Sequence, residues 1–89
     1  MLSRTVRICN KLGLHARAAS SFVKTASKYK AKVNIARDEQ EANGKSILGV
    51  MTLAAAEGCL VTLSAEGEDA QPALDDLAQL IENRFGEAE

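Results

Sequence analysis

Four stretches of the chain alternate apolar and polar side chains, and three others repeat apolar ones at steps of three and four. In Arg4–Cys9, Val6 and Ile8 point one way and Thr5, Arg7 and Cys9 the other, the period of a half-buried strand. From His15 to Lys30 the period changes. Ala19, Phe22, Val23, Ala26 and Tyr29 form one stripe of an amphipathic helix, with Lys24 and Lys28 off the stripe. Alternation returns in Ala31–Arg37 through Val33 and Ile35. The polar run Asp38–Lys45 contains a turn signal, Asn43-Gly44, and a short third strand is expected over Glu39–Ala42. Ser46 is an N-cap candidate for a short helix over Ile47–Leu53, in which Gly49 is a weak spot. Val50 and Leu53 read as its buried side, with Ile47, Leu48 and Met51 partly exposed. Cys59–Gly67 alternates through Val61, Leu63 and Ala65. The last stripe, Ala70, Leu74, Leu77, Ala78, Ile81 and Phe85, is the clearest helix. Asp69 is placed to cap its start, Pro72 lies in its first turn and Gly86 is placed to end it. The order is β-α-β-β-α-β-α. Alternating strands indicate an antiparallel sheet covered on one face by the helices, an α+β open-faced sandwich.

Composition narrows this picture. The chain has 89 residues, which suits one domain, 1–89, and leaves no room for a second core. Aromatic residues make up 3%, so stacking on bases or sugars is not expected. No apolar run approaches the ~20 residues that span a bilayer. Arg4 and Arg7 interrupt the N-terminal stretch, which leaves no signal peptide to recognise. A cytoplasmic chain without membrane insertion is expected. Cys9 and Cys59 stand fifty positions apart and read as reduced thiols at strand edges, not as a disulfide framework or a zinc site.

The net charge of -1 conceals an asymmetry. Residues 1–37 hold nine Lys or Arg and no acid, whereas residues 38–89 hold all twelve acids and two bases. A basic face follows if the fold keeps the first group together. Such a face fits an acidic protein partner or a phosphate. The few aromatics and the net acidic chain argue against nucleic acid.

His15 is the only histidine, and it stands where the first helix begins. A helix start offers N–H groups without internal partners and a locally positive field, which together hold anions. Arg17 adds a permanent charge with forked donors, and Gly13 permits a positive φ or a close backbone approach. Neutral imidazole is a competent nucleophile towards phosphorus. The same position also suits a histidine that merely caps the helix. With no second histidine, a metal site is unsupported. No motif places an acid and a nucleophilic serine near His15 for a triad.

A second group lies in "NGKSILGVMTL", Asn43 to Leu53. Ser46 reads as an N-cap and equally as a phosphorylation site, since a phosphoserine at a helix start is held by the dipole. Ile47, Leu48 and Met51 beside basic neighbours read as a docking surface.

These two stretches make the chain recognisable. "GLHARAA" resembles the active-site motif, and "GKSILGVMTLAA" the regulatory-serine motif, of the HPr family, the histidine-containing phosphocarriers of the bacterial phosphotransferase system. The resemblance runs over essentially the whole chain. It implies an HPr-like four-stranded antiparallel sheet with three helices on one face. It implies that His15 takes a phosphoryl group at Nδ1 from phosphorylated enzyme I and passes it to a histidine on an enzyme II A component. Arg17 is then the active-site arginine. The amides near Ala16 and Arg17 hold the phosphate, and Ser46 is the target of HPr kinase/phosphorylase. Ser20, Lys24, Ile47, Leu48 and Met51 dock the partners of a monomeric carrier that needs no cofactor. One position departs from the pattern: family members often carry proline three residues after the histidine, and here Ala18 stands there. The "HARAA" variant looks more like the HPr-type proteins of α-proteobacteria, which often serve the nitrogen-related form of the system. The competing reading is a non-catalytic regulatory binding module of the same fold, with His15 only a cap.

Overall fold

Seven elements follow one another as the patterning requires. In the computed structural model, which describes all 89 residues, they are β1 (Leu2–Arg7), α1 (Ala16–Ala26), β2 (Lys32–Arg37), β3 (Gln40–Asn43), α2 (Ile47–Thr52), β4 (Leu60–Glu66) and α3 (Ala70–Glu82). The strands form one antiparallel sheet in the order β1-β4-β2-β3. Every strand therefore lies beside a neighbour of opposite direction, and the three helices cover one face.

The alternation decides which side chains reach the core. Val6, Val33, Ile35, Val61, Leu63 and Ala65 point at the helices and are buried. On the open face Thr5 and Thr62 stand opposite each other, their hydroxyls 3.3 Å apart. The helical stripes close the other side with Phe22 of α1, Val50 of α2, and Leu74, Leu77 and Ile81 of α3. Each such side chain gains about 1.5–3 kcal/mol from leaving water.

Several expected boundaries move, each for a visible reason. β1 begins and ends two residues earlier than the alternation suggests. Beyond Arg7, the Cys9 thiol turns towards the end of α3 and donates to the Ile81 carbonyl at 3.0 Å. α1 stops at Ala26 rather than running on to Lys30, because Lys28 and Tyr29 bond three residues back and open a turn. β3 covers Gln40–Asn43, one residue later than expected. α2 ends at Thr52, and Ala54 then takes a left-handed φ of 50°, a position where glycine is usual. The Arg37 guanidinium donates to the carbonyls of Leu53 and Ala54 at 2.9 and 3.1 Å and secures this exit.

Two capping expectations fail at α3. Asp69 stands at its N-cap, yet its side chain makes no capping bond to that helix. Its carboxylate instead accepts from the N–H groups of Lys30 and Ala31, both at 2.8 Å. It thus ties the turn after α1 to the start of α3, and those bonds, the Lys30 one foremost, hold the carboxyl below its ordinary range. Gly86 does not end the helix either. α3 stops at Glu82, and a short turn, Arg84–Gly86, follows in which Arg84, Phe85 and Gly86 all have positive φ. That left-handed bend reverses the chain and brings the segment after it back towards the start of α1.

Candidate functional site

The site is assembled by a loop, a helix start and that returning segment. In the loop, Gly13 adopts φ +68°. A Cβ there would come within 2.4 Å of the Ala55 carbonyl oxygen and 2.9 Å of the Ala56 Cα. Only glycine lets the two backbones approach so closely, and the Leu14 N–H donates to Ala55 at 2.9 Å across the contact. Asn10, fully buried, donates from Nδ2 to the Gly13 carbonyl at 2.9 Å. The loop is therefore held from inside and from the side before it reaches His15.

His15 is the N-cap of α1, with extended backbone (φ -74°, ψ 179°). Its Nδ1 accepts the Arg17 N–H at 3.3 Å, a long bond, and its carbonyl accepts the Ala19 N–H at 2.8 Å. The other early amides of the helix, those of Ala16 and Ala18, have no protein partner. On the far side of the ring, Nε2 lies 2.5 Å from the Glu87 carboxylate. Glu87 also receives the Asn10 Nδ2 at 3.0 Å. The Asn10 amide first, and then the His15 ring, hold the Glu87 carboxyl below its usual range, with the Arg17 charge adding to the effect. An open cleft of about 720 Å³ lies beside the ring, lined by Lys11, Leu12, His15, Ala16, Arg17 and Glu87 among others.

The expected site residues fall into two groups. His15, Ala16 and Arg17 meet in the cleft, and Arg17 is exposed with no acid within 4 Å. Ser20 and Lys24 are exposed on α1. Ser46 caps α2, its Oγ accepting the Gly49 N–H at 3.1 Å. Ile47 and Leu48 are exposed, the latter at 75%, while Met51 is half-buried against the core. α2 packs on α1, so these apolar side chains share one side of the molecule with the helix that starts at His15. No cluster of three or more His, Cys, Asp or Glu is placed to hold a metal ion.

The basic residues of the first 37 are not all free of partners. Arg4 pairs with Asp75 and Glu82, and Lys11 with Glu89. Arg7 and Arg37 spend their guanidinium donors on backbone carbonyls. The side chains of Arg17, Lys24, Lys28, Lys30 and Lys32 pair with no acid within 4 Å, and of these Arg17 lines the cleft.

Three participants went unread in the sequence. Glu87 lies seventy-two positions from His15 and follows no local motif. Asn10 looks like an ordinary loop residue, although a polar side chain just after an apolar strand is one signal for a buried clamp. Leu12, 70% exposed, lines the cleft beside His15 and was readable as an apolar residue beside Gly13.

Comparison with known proteins agrees with the geometry. A family model described as "PTS HPr component phosphorylation site" matches residues 2–83. The phosphocarrier protein HPr of Neisseria meningitidis serogroup A is 46% identical over 89 residues, covering all of both chains. The phosphocarrier protein NPr of Shewanella violacea is 44% identical over 87 residues, covering 98% of this chain and 96% of its own. Among solved structures, that of HPr-C-His from Thermoanaerobacter tengcongensis superposes with a TM-score of 0.95 at 46% identity over the full length of both chains.

Proposed function

The chain belongs to the HPr family, the phosphocarriers of the phosphotransferase system, and on that premise we propose that His15 is the residue that carries the phosphoryl group. It accepts the group at Nδ1 from phosphorylated enzyme I and hands it to a histidine of an enzyme II A component. The observation that carries this reading is the pair of contacts on the ring. Nδ1 faces a helix-start amide as an acceptor, and Nε2 is engaged by a carboxylate. The nitrogen with the free lone pair is thus the one beside the amides of Ala16 and Arg17 and the Arg17 side chain.

The step follows from that arrangement. The Nδ1 lone pair leaves its long contact with the Arg17 amide and forms a bond to phosphorus. The bond between phosphorus and the donor breaks, and its electron pair departs with the donor. The three phosphoryl oxygens then lie against the start of α1, where unpartnered N–H groups and the helix dipole favour negative charge. Arg17 has no acid within 4 Å and is free to turn its fork onto them. Little else is needed, because phosphoryl transfer is chiefly a matter of positioning and charge.

Ser20, Lys24, Ile47, Leu48 and Met51 form the docking surface, with Leu12 added at the rim. An apolar centre beside free cations fits an acidic partner surface, whose encounter with this chain weakens as salt rises. Ser46 is the regulatory position, a target for HPr kinase/phosphorylase where a cell has one. A phosphate there keeps its place at the start of α2 and sets a dianion beside the docking surface. The carrier acts as a monomer in the cytoplasm.

Incubation with enzyme I and phosphoenolpyruvate tests the reading. One phosphoryl group per chain is expected, labile in acid and stable in base, and absent from His15→Ala. Uptake by the His15→Ala chain would refute it. No uptake by the wild-type chain would favour the binding-module reading.

A further inference from the structure

We propose that Glu87 is a positioning residue for His15: it holds the ring as the Nε2–H tautomer and balances the positive charge that the ring gains when Nδ1 carries a phosphoryl group. The proposal rests on the reading of His15 as the acceptor, and it adds a residue seventy-two positions away that no motif near His15 announces.

The tautomer follows from the two neighbours. A neutral imidazole has one donor and one acceptor nitrogen. The Arg17 backbone amide can only donate, so Nδ1, 3.3 Å away, accepts. An ionised carboxylate can only accept, so Nε2, 2.5 Å from Glu87 Oε2, donates. The two contacts demand the same proton placement. Glu87 is itself oriented: its second oxygen takes the Asn10 Nδ2 at 3.0 Å, and Asn10 is buried and clamped on the Gly13 carbonyl. A chain of three fixed groups therefore runs from the loop to the ring.

The backbone is arranged to deliver this carboxylate. Arg84 and Phe85 take φ of 58° and 54° before Gly86, a conformation that costs non-glycine residues energy and persists only where other contacts enforce it. On the far side of Glu87, the Lys11 N–H donates to the Glu89 carbonyl at 2.8 Å and the Lys11 ammonium lies 3.5 Å from the Glu89 carboxylate. Arg84 donates to the Ala88 carbonyl at 3.3 Å. The segment is pinned on both sides of the residue that touches the histidine.

The transfer step gives the contact its purpose. When Nδ1 bonds to phosphorus, no proton leaves Nε2, and the ring becomes a phosphoryl-imidazolium with a positive charge. The Glu87 carboxylate already stands at the edge of the ring that bears this charge. When the group moves on, the phosphorus–nitrogen bond breaks, its electrons return to Nδ1, and the neutral Nε2–H ring is restored against the same partner. The carboxylate and the phosphoryl group occupy opposite edges of the ring and do not compete.

Glu87→Ala and Glu87→Gln in the full chain test this. In the unphosphorylated wild type at neutral pH, the Nε2 proton should give a resolved downfield ¹H–¹⁵N peak. That peak should be kept in Glu87→Gln, whose side-chain oxygen still accepts, and lost to solvent exchange in Glu87→Ala. The kcat for phosphoryl uptake from enzyme I should fall about tenfold in Glu87→Ala, the lower end of the loss when the partner that orients a metal-binding histidine is removed. It should fall less in Glu87→Gln. A Glu87→Ala chain that keeps the peak, or that keeps wild-type kcat, overturns the proposal. So does a Glu87→Gln chain that keeps the peak yet loses as much kcat as Glu87→Ala, because orientation then contributes nothing. The peak is read without any donor, so it stands apart from the His15→Ala experiment and fails separately from it.

Discussion

Gly13→Ala is the most searching perturbation of the loop that presents the histidine. Two terms add. At φ +68° an alanine is left-handed, a cost of about 1–2 kcal/mol. Its methyl group would sit 2.4 Å from the Ala55 oxygen and 2.9 Å from the Ala56 Cα. Both are backbone atoms that cannot rotate aside, and overpacking of this kind costs about 1–3 kcal/mol. The shorter list of unfolded conformations available to alanine returns about 0.4–1 kcal/mol. The net loss is about 1–5 kcal/mol, each kcal/mol lowering Tm by about 4–8 °C for a domain of this size. Gly58→Ala is the control, since Gly58 has φ +90° but nothing within 4 Å of the built Cβ. It carries the first term without the second and should lose no more than about 1.6 kcal/mol. Urea unfolding of both variants, with m compared to confirm that the unfolded states match, reads the difference directly. If Gly13→Ala and Gly58→Ala agree to within about 0.5 kcal/mol, the backbone contact at Ala55 is not what requires glycine, and the argument fails.

Other changes have equally definite outcomes. Ala18→Pro removes an N–H that has no partner, in the first turn of α1 where proline is tolerated, and should raise stability by about 0.4–1 kcal/mol in urea; a loss would show that the buried Ala18 methyl leaves no room for the ring. Ala54→Gly relieves a left-handed alanine at the end of α2 and should gain up to about 1 kcal/mol, read by thermal melting. Ser46→Ala deletes the bond to the Gly49 N–H and should cost about 1 kcal/mol. Ser46→Asp preserves a capping oxygen and should be nearly neutral in stability, yet slow uptake from enzyme I; an unchanged rate at low salt would count against the electrostatic account. Acid titration should find two carboxyls, Asp69 and Glu87, whose folded values lie below the ordinary 3.8 and 4.5. Their contribution is therefore complete above those values and is lost as pH falls through the depressed ones, so unfolding midpoints should be level above about pH 5 and drop below pH 4; Asp69→Asn should flatten that drop.

Periodicity made most of the architecture legible. Val6, Val33, Ile35, Val61 and Leu63 alternate cleanly because one face of their sheet is dry and the other wet, and each is buried as its position demands. Phe22 and Ile81 mark the helix stripes for the same reason. What failed to show were choices settled between distant segments. Asp69 has the chemistry of a cap and stands at the cap position, but its carboxylate is taken by the amides of Lys30 and Ala31, which have no other partner. Ala54 carries no sign of its left-handed backbone, which is held by an arginine on another strand. The charge asymmetry did not say that Arg4 pairs with acids of α3, or that Arg7 and Arg37 turn their donors onto backbone carbonyls, because a tally of charges does not see such partners. At the site, His15, Arg17 and Gly13 lie within five residues and could be read together. Glu87 lies outside any window that periodicity or capping rules examine.

The place of β1 in the sheet has a consequence for how the protein comes into being. Its only hydrogen-bonded neighbour is β4, with Val6 opposite Val61. On a ribosome adding about 5–20 residues each second, the first strand waits roughly 3–11 s for its partner to be made. The β2–β3 hairpin, joined by two residues, closes within about 1–10 μs of emerging. The nascent chain therefore carries its first strand unpaired for most of its synthesis, and the sheet is completed only when β4 is made. A mutation that weakens β1 should be felt first as lost yield in the cell, before any change is measured in the finished molecule.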